Sequence, residues 1–274
     1  MKGAPAWSRS LEKENPMPDP FRETYGPIAL VTGASSGIGL AFAEELAMRG
    51  FDLVLTARRT DRLDALAERL LSAHGVRTTV IGADLADPAT PARILEATRG
   101  TDIGLVISNA GFNLKGAFEA QDAAAMAAML TVNCHAPMQL AHGLIPRLRA
   151  RGRGGIVFTA SVEGLIGCPY SAAYSASKAL VVALGEALWG EMLGTGIDVL
   201  TLCPGATESE ATAGVPGLAN LQNAAEVATL ALDNLREGPT FVPHAHYRTL
   251  FDSLRAQPRR EALAGMAEGM RKRG

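Results

Sequence analysis

The apolar positions of this 274-residue chain change period along its length. As far as Tyr25 there is no period: Pro5, Pro16, Pro18 and Pro20 interrupt a mostly polar stretch, which reads as a flexible or surface-draped arm. Ile28-Ala29-Leu30-Val31 is then a short apolar run stopped by glycine, the pattern of a strand buried on both faces. Ile38, Phe42 and Leu46 recur four apart, so a helix follows, with Gly50 as its stop. Leu53-Val54-Leu55 predicts a second strand, and Leu63, Leu66 and Leu70 mark the core stripe of a helix ending near Gly75. Further strands are expected over residues 76–81, 103–108, 156–159 and 197–202. Between them the pattern predicts helices over 88–98, over 122–149 with a bend at Pro137 and an end near Pro146, and over 171–193. After Pro204 the pattern loosens into a Gly-, Ala- and Thr-rich loop at 206–223, a helix at 225–235, a short strand at 240–242 and a tail helical in pieces.

Strands alternating with helices of this length imply an α/β fold with one parallel sheet covered on both faces. Right-handed crossovers then bring successive loops to the carboxyl edge of the sheet. The expectation is a Rossmann-like, doubly wound single domain over residues 26–243, with an arm at 1–25 and a helical extension at 244–274.

Composition narrows this only a little. Hydrophobic residues make up 47% and the net charge is −2, which fits an ordinary globular protein and not a nucleic-acid binder. No apolar run approaches the roughly 18 residues of a membrane span, and residues 1–21 lack a signal-peptide core. The three cysteines, Cys134, Cys168 and Cys203, form neither a paired framework nor a CxxC metal motif. They read as free thiols of a reducing cytoplasm, with no metal site. Arg271-Lys272-Arg273 reads as a solvated basic end.

Candidate chemistry begins with Tyr174-Ser175-Ala176-Ser177-Lys178. Residues four apart share a helix face, so a phenol and an ammonium stand side by side. A nearby cation favours the phenolate, and such a Tyr would exchange protons with a substrate oxygen. Between the first strand and helix lies Thr32-Gly33-Ala34-Ser35-Ser36-Gly37-Ile38-Gly39, whose glycines permit a tight turn and close approach of a phosphate to the helix N-terminus. The second strand runs into Thr56-Ala57-Arg58-Arg59 with no carboxylate at the turn. An acid there would hold ribose hydroxyls, whereas Arg58 would pair with a 2′-phosphate, so NADPH is expected over NADH.

With these motifs stand Asp84-Leu85, Asn109-Ala110-Gly111, Val132-Asn133, Ser161 thirteen residues before Tyr174, and Pro204-Gly205. In this order, from Ile28 to Thr207, the chain resembles the short-chain dehydrogenase/reductase family. The resemblance implies a catalytic set of Asn133, Ser161, Tyr174 and Lys178. Tyr174 would be the general acid or base, Lys178 would lower its pKa and bind the nicotinamide ribose, Ser161 would hold the substrate oxygen, and Asn133 a water leading to Lys178. It also implies that Gly33, Ser35, Ser36, Gly37, Ile38 and Gly39 cradle the dinucleotide phosphates. Asp84 and Leu85 would flank the adenine, Asn109 and Gly111 the adenosine ribose, and Pro204, Gly205 and Thr207 the nicotinamide. The glycine loop carries Ser36 and no base, so a 2′-phosphate would rest mainly on Arg58.

Val162, Glu163, Gly164, Leu165, Ile166, Tyr170 and Phe112 are expected to line a mostly apolar substrate pocket with the 206–223 loop. The expected activity is an NADPH-preferring carbonyl reductase or alcohol dehydrogenase acting on an apolar ketone or alcohol. Alternatives are a β-ketoacyl reductase of carrier-linked substrates, an isomerase or dehydratase, and a non-catalytic nucleotide-binding regulator. The resemblance further implies a homodimer or homotetramer.

Overall fold

The structure is a computed structural model that describes residues 20–210, 212–213 and 220–271. Most of the expected arm, part of the 206–223 loop, and Lys272 and Arg273 of the basic end therefore lie outside the described residues.

Seven parallel strands form one sheet in the order β3-β2-β1-β4-β5-β6-β7. They are β1 (Ile28–Thr32), β2 (Asp52–Ala57), β3 (Thr78–Gly82), β4 (Ile103–Ser108), β5 (Gly154–Thr159), β6 (Ile197–Leu202) and β7 (Thr240–Phe241). The order reverses between β1 and β4, which leaves a crevice at the carboxyl edge.

Successive strand residues feed opposite cores, as a period of two requires. Ala29, Val31, Leu53, Leu55, Leu105 and Ile107 meet Phe42, Leu46, Leu63, Leu66, Leu70 and Val227 on one face. These come from α2 (Gly37–Met48), α3 (Thr60–His74) and α8 (Ala224–Asp233). Leu30, Val54, Val106, Ile156 and Phe158 meet Ile94, Leu140, Leu144, Leu148, Val181 and Val182 on the other. Those belong to α4 (Thr90–Ala97), α6 (Ala136–Arg151) and α7 (Ala172–Met192). Both faces are covered, which is why the strands read as unbroken apolar runs.

Four details depart from the expected pattern. The end of the arm is ordered: α1 (Pro20–Tyr25) buries Tyr25, whose hydroxyl donates to Asp198 at 2.5 Å. The long helix predicted from residue 122 is three pieces: α5 (Ala123–Leu130), a π-helical turn at Thr131–His135, and α6. Pro137 lies in the first turn of α6, directly after that π-helical turn. Pro146 does not end α6. Leu144 and Leu148 stay buried on either side of it, Arg147 donates to the Thr98 and Leu95 carbonyls at 2.9 and 2.6 Å, and the helix stops at Gly152, with φ of +71°. Finally, of Leu180, Leu184 and Leu188, which recur four apart in α7, Leu180 is exposed, while Val181, Val182, Gly185 and Met192 are among the buried positions.

The extension forms α9 (Ala245–Ala256) and α10 (Arg259–Arg271), which set Phe251 and Ala262 into the second core.

Candidate active site

Most of the expected residues converge at the carboxyl edge because they follow strand ends, while Asn133 reaches it from the π-helical turn and Tyr174 and Lys178 from α7. Gly33 takes φ +70° and Gly37 +55°, backbone that a side chain would strain. A Cβ on Gly39 would lie 2.3 Å from the Gly33 carbonyl oxygen and 2.5 Å from Asn109 Nδ2, so only glycine lets α2 approach β1 this closely. Ser36 precedes α2 in extended conformation without a side-chain cap, so the first N–H groups of the helix are left for an anion. Asn109 is locked to β1: its N–H donates to Thr32 Oγ1 at 2.9 Å and its Nδ2 to the Thr32 carbonyl at 3.1 Å. These features fit a dinucleotide pyrophosphate lying across the glycine turn.

Asp84 is exposed and Leu85 buried after β3, and one Asp84 oxygen accepts from the Ala86 N–H at 3.0 Å, leaving the other for a ligand. Arg58 follows β2, exposed and without a partner among the described residues. Arg59, to which no role was assigned from sequence, is the arginine that faces the glycine loop. Its guanidinium donates to Ser35 Oγ at 3.1 Å and Ser36 Oγ at 2.9 Å. Two adjacent arginines at a strand end point apart, and that alternation was the available signal.

Asn133, Ser161 and Lys178 are buried, and Tyr174 is half-buried beside them. Asn133 sits in the π-helical turn, an irregularity that often marks functional positions. Its Nδ2 donates to the Phe112 carbonyl at 2.9 Å and to Ser177 Oγ at 3.1 Å, and its Oδ1 accepts from the Phe112 N–H at 3.1 Å. With both side-chain donors taken, a water could reach this side chain only at the remaining Oδ1 lone pair. A Cβ on Gly111 would come within 3.0 Å of that oxygen and 3.3 Å of Lys178 Nζ, so Gly111 keeps the floor between them open. Ser161 Oγ accepts from the Glu163 N–H at 3.2 Å, which leaves its own proton to donate.

Lys178 was expected to lower the Tyr174 pKa and to bind the nicotinamide ribose. Its Nζ donates to the Thr159 carbonyl at 2.7 Å and stands 5.8 Å from the centre of the Tyr174 ring. Burial lowers the Lys178 pKa to about 8. The Tyr174 pKa is raised, by burial first and then by the Glu163 carboxylate, while Ser161 acts in the opposite sense. Desolvation of the phenol is the largest influence on Tyr174.

The pocket residues also sort differently. Val162 and Ile166 belong to the core, and Gly164 lies against the backbone of α7, where a Cβ would meet the Lys178 carbonyl oxygen at 2.7 Å. Glu163 does not simply face solvent: it accepts from Ser171 Oγ at 2.5 Å and pairs with Lys115 at 3.0 Å. Phe112, Leu165 and Tyr170 keep exposed surface. After β6, the Pro204 carbonyl accepts from the Val162 N–H at 3.1 Å, and Gly205 and Thr207 are fixed by Gln222, whose Oε1 accepts from the Gly205 N–H at 3.0 Å and from Thr207 Oγ1 at 3.2 Å. Tyr247 of α9 packs flat against Gly205, where a Cβ would be 2.3 Å from its ring. Neither Gln222 nor Tyr247 announces itself in the sequence, because each acts through a distant loop.

The family model for short chain dehydrogenases matches residues 27–216, well over half of the chain. The chain is a short-chain dehydrogenase. Among curated proteins, it is 34% identical over 187 residues to 7beta-hydroxysteroid dehydrogenase of Clostridium sardiniense, covering 68% of this chain and 72% of that one. It is 33% identical over 207 residues to very-long-chain 3-oxoacyl-CoA reductase of Podospora anserina, covering 73% of this chain and 61% of the relative. Among solved structures, a short-chain dehydrogenase from Sphingobium yanoikuyae in complex with NADPH superposes with a TM-score of 0.77 at 37% identity, covering 88% and 96% of the two chains. Like its family, this short-chain dehydrogenase is an NAD(P)-dependent oxidoreductase acting on CH–OH donors or the corresponding carbonyls.

Proposed function

We propose that this short-chain dehydrogenase is an NADPH-preferring carbonyl reductase for a bulky apolar ketone, running in reverse as an alcohol dehydrogenase. The observation that carries the cofactor preference is the pair Arg58 and Arg59 at the end of β2, with no carboxylate at that turn and Arg59 resting on Ser35 and Ser36. The NADPH-bound relative supports it. The steroid dehydrogenase relative supports an apolar ring substrate, as do Phe112, Leu165 and Tyr170.

The cofactor, when bound, supplies hydride to the carbonyl carbon. Ser161 would donate to the carbonyl oxygen as negative charge develops there. Tyr174 gives its phenolic proton to the same oxygen, and its raised pKa keeps that proton available at neutral pH. Lys178 would hold the nicotinamide ribose and, with Asn133 and Gly111 beside it, would pass a proton back towards Tyr174. Gln222 and Tyr247 hold the Gly205–Thr207 segment that would close on the nicotinamide side.

A second reading, reduction of a β-ketoacyl thioester, is favoured by the 3-oxoacyl-CoA reductase relative and by Lys115 beside the pocket, a cation suited to an anionic carrier. We place the enzyme in the cytoplasm on its three free thiols, and as a homodimer or homotetramer on the exposed Leu130, Met138 and Leu180 of α5–α7.

Equilibrium titration with NADPH and NADH tests the cofactor reading. Arg58→Ala and Arg59→Ala should each weaken NADPH far more than NADH, and equal weakening of both would refute it. Cofactor oxidation with cyclic ketones against β-ketoacyl thioesters then separates the two substrate classes.

A further inference from the structure

Glu210 carries a carboxylate to the rim of the glycine loop from far along the chain. It accepts from Arg59 Nη1 at 2.7 Å and also pairs with Arg62. Arg59 meanwhile keeps its two bonds to Ser35 and Ser36. One anion thus neutralises two guanidiniums beside the turn expected to receive the adenosine end of a dinucleotide.

The turn bearing Glu210 is well tied. Thr212 Oγ1 lies 2.9 Å from the Thr207 carbonyl, the Ser209 N–H donates to Thr212 Oγ1 at 2.9 Å, and the Glu208 N–H donates to the Gln222 carbonyl at 2.9 Å. Ser209 lies against the glycine loop, 3.3 Å from where a Cβ on Gly37 would be. Hydrogen bonds from Arg59 and Arg62 hold the Glu210 carboxyl below its ordinary range, so it is anionic at neutral pH.

A 2′-phosphate brings close to two negative charges and seeks the same fork of donors. Two anions cannot share Arg59 and Arg62 without repulsion, whereas an unphosphorylated ribose makes no such demand. We infer that Glu210 is a specificity-determining residue of the cofactor site, an internal counter-ion that a 2′-phosphate displaces from Arg59 and Arg62 and that NADH leaves in place. This rests on the proposed NADPH reading. Glu210 therefore tempers a preference that the arginines create.

The test is equilibrium titration of the full-length protein with NADPH, NADH, 2′,5′-ADP and 5′-AMP. Glu210→Gln should tighten NADPH and 2′,5′-ADP about three- to tenfold, as expected for exposed ion pairs, and leave NADH and 5′-AMP within about twofold. Glu208→Gln removes the same charge two residues away, where among the described residues the carboxylate meets only Asn223 at 3.3 Å, and should change none of the four. Unchanged NADPH affinity in Glu210→Gln, parallel tightening of both cofactors, weakened NADH, or an equal gain in Glu208→Gln would each overturn the inference. Failure of the underlying reading looks different: 2′,5′-ADP would bind no better than 5′-AMP in wild type and variant alike. A clear 2′,5′-ADP preference that ignores Glu210 would sink this inference alone.

Discussion

At the scale of single residues, the site is set by how burial divides protons between Tyr174 and Lys178. Tyr174→Phe should lower turnover by about 10²- to 10⁴-fold and keep NADPH affinity; near-normal rates would remove Tyr174 as the acid. Because the Tyr174 pKa is raised, the reductive direction should be flat between about pH 6 and 8, while alcohol oxidation, which needs the phenolate, should climb into the alkaline range. A reductive profile breaking near neutrality would contradict this. Lys178 makes a separate prediction through stability. Its pKa falls from 10.5 to about 8 on folding, so between those values the unfolded chain holds a proton that the folded one has released. Stability attributable to Lys178 therefore rises across that window, by on the order of 1 kcal/mol per pH unit at most. Below pH 8 the folded state bears the full cost of a buried charge. Tyr174, with its raised pKa, acts oppositely and only above its ordinary 10.0. Urea unfolding of the cofactor-free protein from about pH 7 to 10 should show wild type gaining on Lys178→Met, and a constant difference would refute the linkage.

At the scale of elements, the strands, most helices and the glycine turn were legible, because buried parallel strands and four-residue stripes are strong local signals. Gly39 shows why the turn was readable: the Gly33 backbone on one side and the Asn109 side chain on the other leave no room for a side chain. Gly39→Ala should cost about 1–3 kcal/mol and weaken cofactor binding, measured by unfolding and titration; a variant with wild-type stability and affinity would contradict the packing. What was not legible depended on tertiary context. Pro146 looked like a helix stop because the sequence does not reveal that Leu144 and Leu148 hold α6 to the sheet across it. From sequence the 2′-phosphate falls to Arg58 and no role falls to Arg59, because nothing in the sequence shows that Arg59 turns towards Ser35 and Ser36. The expectation that Lys178 lowers the Tyr174 pKa took account of spacing and missed desolvation, which spacing does not report.

At the scale of the whole molecule, the crevice is assembled by parts outside the strongest motifs. The C-terminal helices reach back so that Phe251 enters the second core and Tyr247 supports Gly205. Phe251→Ala should cost about 3–5 kcal/mol in urea unfolding. Because α9 carries both residues, that variant should also raise the KM for the ketone more than that for the cofactor. A variant with wild-type stability would show that the extension is not part of the core. The opposite edge is closed by Tyr25, whose hydroxyl joins Asp198 and also accepts from Arg236 Nε at 3.3 Å, away from the chemistry.

The π-helical turn at Thr131–His135 closes with the Ala136 N–H bonded to the Thr131 carbonyl, one residue wider than a regular helical turn. Losing one residue inside a helix ordinarily rotates everything beyond it by about 100°, enough to turn a buried face outward. Here the helix already holds a spare residue. A one-residue deletion within the turn should let α5 run into α6 as a regular helix with the buried face of α6 kept in place. The chain would fold without the arrangement that aims Asn133. The same deletion in the middle of α6 should prevent folding. Length variation, which helices usually reject, is thus admissible at this one point, and its cost there falls on catalysis and not on the fold.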